Sequence, residues 1–131
     1  MITVWTNGCF DIIHRGHIEL FKYAKSLGDE LIVGIDSDEK VKKDKGKDRP
    51  INSMKDRMEI LRSIKYIDQV CYFSSTEGLK NIIKHHEPDI MVIGSDWKYK
   101  DVIGQEYTKE LKFFDRVGDY STTKIIRDKN G

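Results

Sequence analysis

Short apolar runs alternate along this chain with polar stretches whose apolar residues recur at helical spacing. Ile2-Thr3-Val4-Trp5 reads as a first strand. After a glycine-containing turn, Ile18, Leu20, Phe21, Ala24 and Leu27 fall on one face of an amphipathic helix. Lys25-Ser26-Leu27-Gly28-Asp29 stops that helix, with Gly28 placed for a C-cap. Leu31-Ile32-Val33-Gly34-Ile35 is apolar throughout, as expected of a strand buried on both faces of a parallel sheet. Strand, helix and strand in this order make a βαβ unit, right-handed in almost every instance.

The pattern then lapses. Asp36 to Pro50 is polar and lysine-rich, and it predicts an exposed, mobile loop without apolar anchors. Ser53-Met54-Lys55-Asp56 looks like a capping box with Asp in place of Glu. It opens a helix carrying Met54, Met58, Leu61 and Ile64 toward the core. Gln69 to Phe73 is a third strand, with Cys71 as a small buried hydrophobe. Ser74-Ser75-Thr76-Glu77 starts a helix that buries Leu79, Ile82 and Ile83 and ends on His85 and His86, which suit its dipole. Ile90 to Ile93 is a fourth strand, Lys112 to Phe114 a fifth, and 121–127 a last helix. Strands alternating with helices imply an α/β fold, a single doubly wound, mainly parallel five-stranded sheet of Rossmann-like type. Residues 1–131 are expected to form one domain. The Gly-x-Gly-x-x-Gly fingerprint is absent, which predicts a mononucleotide site rather than an NAD site.

Charge narrows the partners. Charged residues make up 34% of the chain yet cancel to +1, which argues against a broad nucleic-acid or membrane surface. No apolar run approaches membrane-spanning length, and the N-terminus enters a strand without a signal-peptide pattern. Two cysteines offer no disulfide framework. A cytoplasmic protein is expected.

The chemistry concentrates in Gly8-Cys9-Phe10-Asp11-Ile12-Ile13-His14-Arg15-Gly16-His17. A strand, a tight turn and a helix N-terminus form an anion site, because the first helical N–H groups are unpaired and face the positive end of the dipole. His14 and His17 can donate to phosphate oxygens, and a polyphosphate would favour their charged forms. Gly16, without a Cβ, permits close approach. A zinc pair would need further ligands, and no Cys/His cluster at ligand spacing supplies them. Capping histidines with no chemical role are the other reading of the pair.

This run resembles the His-x-Gly-His signature of the cytidylyltransferase-like nucleotidyltransferases, and Ser121-Thr122-Thr123-Lys124-Ile125 resembles their second signature. The resemblance extends from Thr3 to Ile126 and is strongest to the glycerol-3-phosphate cytidylyltransferases, with the heptose-1-phosphate adenylyltransferases close behind. It implies that CMP passes from CTP, with Mg²⁺, to a small phosphorylated acceptor such as glycerol 3-phosphate, giving CDP-glycerol and pyrophosphate. Adenylyl transfer from ATP to a heptose 1-phosphate is the alternative. The implied nucleotide contacts are Cys9, Phe10, His14, Gly16, His17, Asp96, Trp97, Arg116, Ser121, Thr122 and Thr123. His14, His17, Lys45, Lys47 and Arg116 would act on the reacting phosphates, and Asp11, Asp38, Lys45, Lys47, Arg57 and Lys80 on the acceptor. No residue is assigned as a metal ligand. Asp11 also has a purely structural reading, bracing the turn through backbone N–H groups. Gly94-Ser95-Asp96-Trp97 resembles a cytidylyltransferase turn, whereas Arg49-Pro50-Ile51-Asn52 and Val102-Ile103-Gly104-Gln105-Glu106 look more like the adenylyltransferases. With Arg116, Asp96 and Trp97 taken as nearer the nucleotide, CTP is expected. Members of the family pair into homodimers, and a homodimer is expected.

Overall fold

The computed structural model describes residues 1–115; the expected helix at 121–127 lies outside the described residues. Strands β1 (Thr3–Gly8), β2 (Glu30–Asp36), β3 (Gln69–Phe73), β4 (Ile90–Gly94) and β5 (Glu110–Phe114) pair in the order β3-β2-β1-β4-β5. Every pairing is parallel. Helices α1 (Arg15–Ser26), α2 (Asp38–Lys45), α3 (Met54–Arg62) and α4 (Thr76–His86) connect them. This is the expected doubly wound α/β sheet.

Successive side chains of a strand point to opposite faces, so each central strand serves two cores. On one face Val4, Leu31, Val33, Ile35 and Val92 pack with Phe21 and Ala24 of α1 and Leu61 of α3. On the other, Trp5, Ile32, Met91 and Ile93 pack with Leu79 and Ile83 of α4. The middle of β2, residues 31–35, is apolar throughout because neither of its faces meets water.

The position of the site follows from the strand order. The chain winds outward from β1 to β3, then crosses back to place β4 on the far side of β1. Ligands of open α/β sheets bind where the order reverses in this way. Here the reversal is also a physical opening. Pairing of β1 with β2 runs from Thr3↔Glu30 to Gly8↔Ile35, but pairing of β1 with β4 is confined to Val4↔Ile90 and Trp5↔Met91. Beyond Trp5 and Met91 the two central strands leave a crevice at their C-terminal ends.

Three local expectations need correction. Gly28 is not the C-cap of α1; that is Leu27, in right-handed conformation (φ −85°). Glycine is required at 28 for space, since a Cβ there would stand 2.7 Å from the Ile2 carbonyl oxygen and 2.8 Å from Val4 Cγ2. Asp36 to Pro50 is not a featureless loop, because 38–45 form α2 and Val41 is fully buried. The Ser37 hydroxyl caps that helix by accepting from Lys40 N. Asp38 and Glu39 lie in its first turn and Lys42, Lys43 and Lys45 in its last, as the dipole favours. A helix with one buried residue has no apolar periodicity to read. Lastly, β1 continues through Thr6, Asn7 and Gly8, carrying the first signature to the sheet edge.

Among the described residues no helix is long and apolar enough to cross a membrane.

Gly34 tests the packing directly. A Cβ at this position would lie 2.7 Å from both Cη2 and Cζ2 of the fully buried Trp5. Gly34→Ala should therefore lose about 1–3 kcal/mol in urea denaturation, the usual size of an overpacking defect. Unchanged stability would show that Trp5 can move.

Candidate active site

The first turn of α1 is built from the two histidines. His14 is the N-cap, in extended conformation, and its Nδ1 accepts from Gly16 N at 3.0 Å. His17 reaches back, and its Nδ1 accepts from His14 N at 3.2 Å. The pair is a capping box made of imidazoles in place of Ser and Glu. With both Nδ1 atoms accepting, the ring proton of each neutral imidazole sits on Nε2. The rings stack with centroids 3.8 Å apart and planes 25° from parallel. Capping and phosphate donation are thus compatible, since each uses a different nitrogen.

Phe10 holds this arrangement from below. Its backbone is left-handed (φ 49°) and its ring stands edge-on to His17, with centroids 5.3 Å apart. Burial, followed by the nearby charges of His14 and Lys45, pushes His17 down to about 3. By itself His17 is therefore a neutral donor at physiological pH; the charged form is expected only against a bound polyphosphate.

A cavity of about 370 Å³ occupies the crevice between β1 and β4. Asn7, Gly8 and Gly94 come from the strand ends; Lys40, Asp44 and Lys45 come from α2. Leu79, Ile93, Val102 and Ile103 add an apolar wall, and Asp96 and Trp97 stand at 94–97 beside it. Asp36 also lines the space, and its burial raises its carboxyl pKa. Lys45 connects the two halves of the site, lining the cavity while its charge acts on His17.

Of the expected residues, Lys45, Asp96 and Trp97 line the cavity, and His14, Gly16 and His17 form the helix start beside it. Lys47 is exposed beyond α2, and Lys80 is half-buried on α4; neither lines the cavity. Arg116, Ser121, Thr122 and Thr123 lie outside the described residues.

Asp11, Asp38 and Arg57, expected at the acceptor, are engaged in bonds within the protein. Asp11 is 1% exposed and accepts from Ile51 N and Asn52 N, each at 2.8 Å, and from Arg49 Nε at 3.1 Å. Arg57, equally buried, donates from Nη1 to the carbonyls of Cys9 and Asp36, from Nε to that of Asn52, and from Nη2 to Asp38 at 2.8 Å. These contacts occupy four of its five N–H groups. The Cys9 carbonyl is thereby engaged within the protein, and burial raises the Cys9 thiol. Asn7, Val102 and Ile103 escaped the sequence reading as site residues, because only the crevice brings these distant segments together.

A family model described as cytidylyltransferase-like matches residues 5–130. The bifunctional protein HldE of Campylobacter fetus is 45% identical over 128 residues, 98% of this chain and 28% of its own length. The HldE protein of Nitratiruptor sp. is 47% identical over 123 residues, 94% of this chain and 26% of its own. The chain thus spans about a quarter of the length of these relatives. Among solved structures, a lipopolysaccharide core biosynthesis protein from Thermoplasma volcanium is 29% identical with a TM-score of 0.72, covering 92% of this chain and 99% of that one. A pantoate-beta-alanine ligase from Francisella tularensis shares the fold alone, at 15% identity, TM-score 0.65, and coverage of 99% of this chain and 65% of that one.

The low pKa of His17 fixes the sign of a pH effect. Folded, the group titrates near 3; unfolded, near 6.5. Between those values the unfolded chain binds the extra proton, so this contribution is complete above about pH 6.5 and shrinks as pH falls. Urea titrations at roughly pH 7.5 and 5 should show wild type losing more stability than His17→Gln. Equal losses would mean that His17 is not held neutral.

Proposed function

The chain belongs to the cytidylyltransferase-like family of nucleotidyltransferases, and from that premise we propose that it transfers AMP from ATP to a heptose 1-phosphate, releasing pyrophosphate. The observation that carries this reading is the match of nearly the whole chain, at about 45% identity, to proteins named bifunctional protein HldE, together with the resemblance of 49–52 and 102–106 to heptose-1-phosphate adenylyltransferases. The same match overturns the expectation of CTP and glycerol 3-phosphate.

The physical error behind that expectation can be located. Arg116 and Ser121–Thr123 are residue types that bind phosphates, and a triphosphate is common to every nucleotide, so they carry no information on the base. Of the two stretches that resemble adenylyltransferases, the second bears on the base. Val102 and Ile103 line the cavity beside Asp96 and Trp97.

In the proposed reaction an oxygen of the acceptor phosphate attacks the α-phosphorus of ATP. An O–P bond forms, the bond from that phosphorus to the β-phosphate oxygen breaks, and pyrophosphate leaves. No protein nucleophile is needed; positioning and charge stabilisation carry the catalysis. His17 Nε2 donates to an α-phosphate oxygen, with His14 beside it, and Lys45 supplies positive charge from α2. The apolar wall of Leu79, Ile93, Val102 and Ile103 suits a base. Among the described residues no three His, Cys, Asp or Glu side chains converge on a metal site. Mg²⁺ would arrive on the triphosphate, with Asp36 and Asp96 at hand to hold it alongside phosphate oxygens. When bound, the ion offsets charge on the leaving pyrophosphate.

Isothermal titration should show ATP binding at least about tenfold tighter than CTP, and only ATP with a heptose 1-phosphate should yield pyrophosphate efficiently. CTP binding as tightly as ATP would defeat the adenylyl reading. Independently, His17→Ala should lower kcat by roughly 10²-fold, a typical cost of losing one transition-state donor. Turnover within about threefold of wild type would remove His17 from the mechanism.

A further inference from the structure

Arg49 follows an exposed, lysine-rich turn, yet its own side chain is only 13% exposed. Its Nε donates to Oδ2 of Asp11 at 3.1 Å. That carboxylate is already fixed, because Ile51 N and Asn52 N donate to its two oxygens and Asn52 Nδ2 donates to the Asp11 carbonyl. Arg57 Nε in turn holds the Asn52 carbonyl, so the segment from Arg49 to Asn52 is clamped onto the turn between β1 and α1. The clamp orients the guanidinium by one edge.

Nη2 of Arg49 is buried and has no acceptor among the described residues. Buried donors are nearly always paired, and a charged one left alone is costly. An arginine serving only to neutralise Asp11 would set two parallel N–H bonds against the two carboxylate oxygens. Here only Nε is bonded to the carboxylate, whose other oxygen takes the Asn52 amide. The ligand that suits a guanidinium fixed in this way is an oxyanion with several acceptor oxygens, a phosphate above all.

Asp11 neighbours Phe10, whose ring packs on His17, so Arg49 is anchored to the same turn as the histidine pair. The histidines and the N-terminus of α1 already serve the triphosphate. The other anion in the reaction is the phosphate of the acceptor. We propose that Arg49 binds that phosphate and holds it for attack on the α-phosphorus. This rests on the nucleotidyl-transfer reading above. Arg49 gives up no proton; it supplies N–H donors and a fixed charge to the non-attacking oxygens. Asp11 acts through Arg49 as a positioning residue.

The test is a set of titrations on protein holding a non-hydrolysable ATP analogue, with heptose 1-phosphate and inorganic phosphate as separate probes. Arg49→Met should weaken heptose 1-phosphate by at least about tenfold, and Arg49→Lys by less, keeping the charge but losing the fork. Affinity for the ATP analogue should stay within about threefold, and KM for the acceptor should rise far more than kcat falls. Arg49→Lys carries the test if Arg49→Met does not fold. Acceptor affinity unchanged in both variants would overturn the proposal, as would parallel loss of nucleotide and acceptor binding, the mark of a brace. If wild type forms product while the variants bind acceptor normally, Arg49 is wrong and the reaction stands. If wild type forms no product but loses inorganic phosphate with Arg49→Met, the acceptor assignment is wrong and the phosphate site stands.

Discussion

Arg57 stands fully buried beneath the C-terminal edge of the sheet, and its guanidinium ties together segments that the chain delivers from four places. It bonds the turn after β1 through Cys9, the end of β2 through Asp36, the start of α2 through Asp38, and the approach to α3 through Asn52. A buried charge stripped of its partners costs several kcal/mol, so each of these segments is held to the others. Asp11 does the complementary work with opposite sign, gathering the backbone of Ile51 and Asn52. Polar strand ends and loops, which have little apolar surface to bury, are thus fixed by hydrogen-bonded charge.

On that frame the site divides its tasks by atom rather than by residue. Each histidine uses Nδ1 to cap the helix and keeps its proton on Nε2. Burial keeps His17 neutral, so its donation does not depend on an added proton. Lys45 brings positive charge to the cavity wall from a helix with three lysines in its last turn. The cavity itself owes its existence to the short pairing between β1 and β4, a consequence of strand order.

Much of this was legible in the linear pattern. Continuous apolar runs at β2 and β4 marked strands buried on both faces, and their alternation with helical stretches implied the parallel, doubly wound sheet. His14, Gly16 and His17 were legible as a candidate site because a strand, a turn and a helix start succeed one another locally. The choice of base was misread because phosphate-binding residue types were weighed as base-reading ones. The helix at 38–45 was missed because capping, dipole and one buried valine hold it, and none of these produces a periodic signal.

The sequence alone determined much of what depends on neighbours along the chain: most of the elements, the N-caps at Ser53 and Ser75, and the strand–turn–helix run that carries the histidine pair. Tertiary structure decided what depends on residues far apart. Arg57 and Asp11 became braces because their partners lie up to 48 residues away in sequence, and no local spacing announces such pairs. Val102 and Ile103 joined the cavity only because β4 crosses back beside β1. A side chain's type states which bonds it can make; only the fold states which of them are already made, and that is what separates Arg57 from Arg49.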